Sequence, residues 1–256
     1  MTTWWRPRWA NGVPGLLDQE LQARKATARV VQLPQSMFYL DPQLGAQDNA
    51  VIQQLRAIDL TLHVRQWSSL EYAPPTSDRV RVKVIPDIAF LLSETELGAR
   101  PASDVLILLR EDHERAPSGV SNDEAAHMAN STLTPINASF QVRDWVVSGT
   151  PQVGELEISS PNTFPLVRCG MAQRLIMEAK VLITDRLHAS IVALLMDRPH
   201  IMIDNSYGKI SGVRHLALPG HGGACGDAIF RAQWARDIDE ALVMARRILL
   251  DTFVIS

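Results

Sequence analysis

The stretch Val181-Leu-Ile-Thr-Asp-Arg-Leu-His-Ala-Ser190, continued by Ile191 to Lys209, decides how this chain folds. Ala179 to Ile183, interrupted only by Lys180, is an apolar run of strand length, and Leu187, Ile191, Leu194 and Leu195 then recur at helical spacing. The pattern is strand, tight turn, helix. Thr184 or Asp185 is expected to cap that helix by accepting a hydrogen bond from a free backbone N–H, and Pro199 ends it before a second strand, His200 to Ile203. Together these pieces make one β-α-β unit.

Arg186 and His188 stand at the start of the helix, where the partial positive charge of the free amides makes a cation unfavourable by about 0.3–1 kcal/mol. Two cations in that place make sense if an anion is held there by amides, dipole and side chains together. Phosphate or carboxylate is the natural guest. The plainer alternative pairs Arg186 with Asp185 or another acid and leaves His188 a half-buried structural histidine. The segment Asp204-Asn-Ser-Tyr-Gly-Lys209 ends the next strand on the same edge of the sheet, and ligands of open α/β sheets bind at that edge. Lys209 therefore joins Arg186 as a candidate anion ligand.

Outward from this unit, strand and helix patterns alternate, as parallel α/β sheets require. Strands are expected at Ala28 to Leu33, Asp59 to Val64, Val80 to Ile85, Asp104 to Leu109 and Asp144 to Val147. Helices are expected at Asp48 to Ile58, Trp67 to Tyr72, Pro165 to Lys180 and Ile238 to Leu250, while residues 115–143 show little pattern. The polar segment Ser93 to Ser103, with Gly98 and Pro101, divides the chain into residues 1–98 and 99–256. Arg110-Glu-Asp-His-Glu114 follows an apolar strand, so Arg110 is either a further anion ligand or part of a surface ion-pair cluster.

Composition sets limits on what this protein does. With 256 residues, 46% hydrophobic and 21% charged, the chain can bury a substantial core. A net charge of −3 with no long basic run gives no electrostatic footprint for nucleic acid. Cys169 and Cys225 are too few for a disulfide framework and lack the spacing of a zinc site, which suits a reducing compartment and no resident metal. No apolar h-region follows the charged N-terminus and no run reaches a membrane span, so a cytoplasmic location is expected. Trp4, Trp5 and Trp9 beside arginines leave open a peripheral association with the inner face of the membrane.

Three blocks, taken in order, resemble the polysaccharide pyruvyl transferase family: Val31-Gln-Leu-Pro-Gln-Ser36, Leu106-Ile-Leu-Leu-Arg-Glu-Asp112, and Ile183-Thr-Asp-Arg-Leu-His-Ala189 with Asp204-Asn-Ser-Tyr-Gly-Lys209. Val64-Arg65 and Pro86-Asp-Ile-Ala-Phe90 add to them. The resemblance implies two Rossmann-like halves similar to B-type glycosyltransferases, with the active site in the cleft. It also implies transfer of the enolpyruvyl group of phosphoenolpyruvate to sugar hydroxyls, giving a pyruvate ketal in an exopolysaccharide or cell-wall polymer. Phosphoenolpyruvate is the donor substrate and no further cofactor is implied; the acceptor is a sugar or lipid-linked oligosaccharide.

On that resemblance Arg186, Lys209 and Arg110 bind the donor's phosphate and carboxylate, which arginine matches through its fork of donors. His188 protonates the methylene carbon as general acid. Gln35 and Ser36 at a strand end are acceptor contacts, Arg65 lines the cleft, and Asp87 caps a helix. Two glycine-rich turns usual in the first half of such proteins have no counterpart here, so that half is expected to be truncated and less stable. A sugar-nucleotide glycosyltransferase of the same architecture, or an inactive carbohydrate-binding remnant, is the alternative.

Overall fold

Buried residues alternate with half-exposed ones along Ile58–Val64, so this strand packs one face against a core and turns the other outward. It is β2, the middle of a three-stranded parallel sheet between β1 (Ala28–Gln35) and β3 (Val80–Val84). The computed structural model describes residues 13–39, 41–91, 101–111, 115–116, 119–144, 170, 172–206, 208, 210–212 and 232–253. They are α/β, and every strand pair is parallel. The chain divides into two compact units, one running to Ile88 and taking in Gly212, the other containing Ala89–Ser211 and the C-terminal helix.

In the first unit, Ile58, Leu60, Leu62 and Val80 pack with Ile52 and Leu55 and with Leu17 and Leu21 of α1 (Val13–Ala23). The helix α2 (Pro42–Gln53) starts earlier than its apolar spacing suggested, because Asp41 accepts a hydrogen bond from the Gln43 N–H at 2.9 Å and Pro42 fits the first turn. Ile58 accordingly opens β2 and does not end a helix. The segment after β2 forms a short 3-10 helix, Trp67–Glu71, held by the Ser69 hydroxyl, which accepts from the Met37 N–H at 2.8 Å. On the outer face of the sheet Val31 and Leu33 are exposed beside Arg29, Arg81 and Lys83.

One contact in this unit lay beyond any periodicity. Asp18 on α1 is buried and accepts from the backbone N–H of Ala57 at 2.7 Å and of Arg56 at 3.0 Å, which ties the helix to the entrance of β2.

The described residues of the second unit form five parallel strands in the order β5-β4-β6-β7-β8: β4 (Ser103–Leu108), β5 (Phe140–Arg143), β6 (Ala179–Thr184), β7 (His200–Met202) and β8 (Ala232–Trp234). Val105, Ile107, Val181 and Ile183 face α3 (Asn122–Leu133) and α5 (Ile238–Phe253). Leu106, Leu108 and Leu182 face the other way, onto Ile176 and onto Ala189 and Ala193 of α4 (Leu187–Leu195). Helices on both faces explain why these strands are near-continuous apolar runs.

Two local expectations change. α3 lies in the stretch that showed little pattern, because its buried face is made of Ala125, Ala129 and Leu133, too small to stand out; its capping box of Ser121 and Glu124 was legible. A strand that was not anticipated stands at Phe140–Arg143, with Asp144 at its carboxyl end; of the strand expected at Asp144–Val147 only Asp144 is among the described residues. Residues 145–147, and most of Pro165 to Lys180 ahead of the helical residues 172–177, fall outside the described set.

His200 is buried in β7, its Nδ1–H donating to the Arg198 carbonyl at 2.9 Å, and burial pushes its pKa down to about 4. Because an exposed histidine titrates near 6.5, the unfolded chain binds a proton between pH 6.5 and 4 that the fold refuses, and stability is lost as pH falls through that window. Asp185, whose carboxyl burial pushes up to about 7, works in the opposite sense between pH 4 and 7.

A comparison of variants therefore isolates the histidine. His200→Asn keeps a donor for the Arg198 carbonyl, and its urea-unfolding free energy should drop less than the parent's from pH 7 to pH 5, by about 2 kcal/mol. Asp18→Ala should cost about 1–3 kcal/mol by stranding the two backbone donors, and Leu60→Ala about 2–5 kcal/mol by opening a cavity.

Candidate active site

In the second sheet β4 is followed by β5 on one side and the chain then crosses to β6 on the other, so connections diverge at the carboxyl ends of β4 and β6. A crevice opens at such a reversal, and ligands of doubly wound sheets occupy it. Leu108 pairs with Thr184 across this seam and with Arg143 on the other side. The register therefore sets Arg110, Asp144 and Arg186 close together, just beyond the ends of three neighbouring strands.

Side chains lock this edge. The Thr184 hydroxyl donates to the Leu108 carbonyl at 2.8 Å and accepts from the Arg186 N–H at 3.0 Å. Asp185 accepts from the Arg110 N–H at 3.0 Å. Asp144 takes one Arg186 guanidinium nitrogen on Oδ1 and the Glu111 N–H on Oδ2 at 3.1 Å. Neither Thr184 nor Asp185 caps α4 as expected: Arg186 is its N-cap residue, with no side-chain cap bond, because both candidates bond across the seam or to the turn itself. The helix is stopped by Asp197 in the left-handed region, φ 54°, with the Arg198 N–H reaching back to the Ala193 carbonyl at 2.8 Å.

Arg186 is thus held by a buried acid, as one sequence alternative anticipated, but the acid is Asp144 and not its neighbour. Its Nε is buried and has no hydrogen-bond partner among the described residues. A buried N–H of this kind demands an acceptor. His188, two residues on, is exposed on the first turn of α4. Arg110 is half-buried at the same edge, and Asp185 lies between the fields of the two guanidiniums. Burial outweighs those fields and raises the Asp185 carboxyl to about 7.

Lys209 lies outside the described residues, as do Asp112, His113 and Glu114. The turn before Lys209 is described: Asp204 accepts from the N–H groups of Asn205 at 3.0 Å and Ile210 at 3.2 Å, and Gly208 takes a positive φ of 69° that a side chain would strain. Among the described residues no group of three or more His, Cys, Asp or Glu is placed to hold a metal ion.

The first unit has its own polar carboxyl edge. Arg65 is buried; its Nε donates to the Ser36 hydroxyl at 2.9 Å and its guanidinium pairs with Asp87. Ser36 donates in turn to the Gln66 side-chain carbonyl at 3.0 Å. Asp87, expected as a helix cap, is here the buried partner of Arg65, and Gln35 at the end of β1 stays half-buried. Asp144 is the residue that sequence reading missed, since nothing in its neighbourhood announces a partner 42 positions away.

Asp144→Ala removes the counterion of a guanidinium whose side chain is only 12% exposed and should cost about 3–5 kcal/mol. Inorganic phosphate should raise the melting temperature of that variant more than the parent's if Arg186 is an anion ligand; equal shifts in the two would show that no anion reaches it.

The family profile for polysaccharide pyruvyl transferase matches residues 171–207, which contain the Arg186 and His188 turn. Pyruvyl transferase 1 of Schizosaccharomyces pombe is 33% identical over 195 residues, 74% of this chain and 47% of that protein. The chain thus spans about half the length of this relative. A crystal structure of a Klebsiella pneumoniae protein described as functionally uncharacterised superposes with a TM-score of 0.47 at 16% identity, covering 87% of this chain and 68% of that one. No helix among the described residues is long and apolar enough to cross a membrane. With the Arg-Leu-His turn inside the matched segment and a third of the 195 aligned positions shared with the Schizosaccharomyces pombe protein, the chain belongs to the polysaccharide pyruvyl transferase family.

Proposed function

We propose that the carboxyl edge of the second sheet binds phosphoenolpyruvate and that the chain transfers its enolpyruvyl carbons to sugar hydroxyls, forming a pyruvate ketal and releasing phosphate. The observation that carries this reading is Arg186: Asp144 fixes one end of its guanidinium, while a buried Nε–H is left for an acceptor at a helix start, where free amides and the dipole also favour an anion. Arg110 beside it gives the second cation that a phosphate-plus-carboxylate ligand needs, and Lys209 is the third by its place in the family block.

Protonation of the methylene carbon makes C2 an oxocarbenium-like centre that a hydroxyl attacks. His188, exposed on the first turn of the helix, is the group for that proton. Arg65 and Ser36 are bonded to each other and to Asp87 and Gln66, and we assign them to bracing the first unit's edge, leaving Gln35 as its acceptor contact. The acceptor is a sugar or lipid-linked oligosaccharide handled on the cytoplasmic side of the membrane, within exopolysaccharide or cell-wall synthesis.

The test is release of inorganic phosphate from phosphoenolpyruvate in the presence of an acceptor saccharide, run beside sugar transfer from nucleotide donors. Phosphate release with ketal formation supports the proposal; sugar transfer with no use of phosphoenolpyruvate replaces it. His188→Ala should lower turnover by about 10²–10⁴-fold while phosphoenolpyruvate affinity stays near the parent's. Arg186→Lys should weaken donor binding instead, because an ammonium cannot serve Asp144 and a phosphate with one planar fork.

A further inference from the structure

A cavity of about 470 Å³ opens at the carboxyl edge of the second sheet, within the roughly 300–1,000 Å³ of small-molecule sites. It is reached on the face that carries α3 and α5. Its walls come from the ends of four strands or the turns after them, β4 at Leu109, β6 at Asp185, β7 at Asp204 and β8 at Arg236. Asp185 is the link to the site already described: its carboxyl is buried in the cavity wall while its backbone continues directly into Arg186.

The chemistry of the lining separates this cavity from an anion pocket. Among the described residues, Arg115 and Arg236 are outnumbered by Asp185, Asp204, Asp237 and Asp239, and Arg236 is already bonded to Glu240 at 2.9 Å. A phosphate or diphosphate would meet net negative charge there. Val120, Met128 and Ile203 supply an apolar wall opposite these acceptors and the Asn205 amide. An apolar wall with carboxylate and amide groups around it fits a ligand that is neutral, has apolar C–H faces and carries many hydroxyl donors. That is a sugar ring.

We propose that this cavity seats a saccharide ring of the acceptor and that the Asp185 carboxylate accepts a hydrogen bond from the hydroxyl next to the donor site. The inference rests on the pyruvyl-transfer reading for its chemistry, though not for the binding it predicts. His188 gives a proton to the methylene carbon; the first hydroxyl oxygen bonds to C2 as its proton passes to Asp185. The bond from C2 to the phosphate oxygen then breaks with its electron pair on phosphate, which takes the proton from Asp185. The second hydroxyl closes the ketal and its proton restores His188. Two hydroxyl protons are lost, one to carbon and one to phosphate.

The charges around Asp185 set the direction of a pH effect. Arg110 at the end of β4 and Arg186 ahead of α4, itself paired to Asp144, favour the carboxylate; Asp204 after β7, Asp237 and Asp239 at the start of α5, and Arg115 and Arg236 line the same cavity. Burial wins, bringing the carboxyl to about 7, so it accepts as a charged group above neutral pH and holds its own proton below. Saccharide binding should be tighter at pH 8 than at pH 5.5, by about tenfold for the loss of one charge-assisted bond.

The experiment is ligand-observed NMR on the full chain with the methyl glycosides of glucose, galactose, mannose and N-acetylglucosamine, at both pH values. The variants are Asp185→Asn, whose amide oxygen still accepts from the Arg110 N–H, and Val120→Trp, which fills the cavity; circular dichroism checks that each is folded. The expected result is binding of at least one glycoside, weakened about tenfold at pH 8 and stripped of its pH dependence by Asp185→Asn, and reduced by Val120→Trp. Binding of none, or binding indifferent to both variants, overturns the proposal. Titrating phosphoenolpyruvate into the same samples separates the two readings. Glycoside binding without any phosphoenolpyruvate binding leaves the cavity assignment standing and removes the donor assignment; the reverse removes the cavity and leaves the donor.

Discussion

The seam between β4 and β6 is the constraint on which the second unit depends. Its backbone ladder pairs Leu108 with Thr184, and the Thr184 hydroxyl adds a bond to the Leu108 carbonyl and another to the Arg186 N–H. Those bonds hold the two strand ends level, and everything functional at this edge is measured from that level. If the pairing slipped by one residue, side chains of β6 would exchange faces, and Ile183 would leave the α3 and α5 layer for that of α4. Asp185 could then no longer meet the Arg110 N–H.

The edge keeps charged groups out of full solvation while one buried donor, the Nε of Arg186, goes without a partner among the described residues. Asp144 is spent on Arg186 and the Glu111 N–H, and Asp185 on the Arg110 N–H. Two arginines and two buried acids at one strand edge would cancel as a structural network, were it not for the buried Nε of Arg186, which has no hydrogen-bond partner among the described residues. Such incomplete satisfaction is costly in a structural core and useful in a binding site, where a ligand completes the set. The first unit contrasts with this: its Arg65, Asp87, Ser36 and Gln66 bond to one another in a buried chain.

The two pH-sensitive groups divide along the same line. His200 sits inside β7, bonded to the backbone, and its titration reports on folding. Asp185 sits at the end of β6 against a cavity, and its titration falls near neutral pH. Burial is the first cause in both, and because it acts on a base in one and an acid in the other, the two shifts have opposite signs.

The local signals in the sequence were sufficient for the strand-turn-helix around Arg186, because an apolar run, helical spacing and Pro199 each depend only on neighbouring residues. They were also sufficient for parallel α/β order and for Arg186, His188 and Arg110 at a carboxyl edge. Small buried residues hid α3, since Ala125 and Ala129 contribute a core face without an apolar pattern. Only the tertiary structure could choose Asp144 over Asp185 as the partner of Arg186, because the choice follows from strand register across β5, β4 and β6. The raised carboxyl of Asp185 and the cavity it faces were likewise beyond the sequence: burial and enclosure are properties of what surrounds a residue, contributed here by four strand ends that lie up to about 130 positions apart.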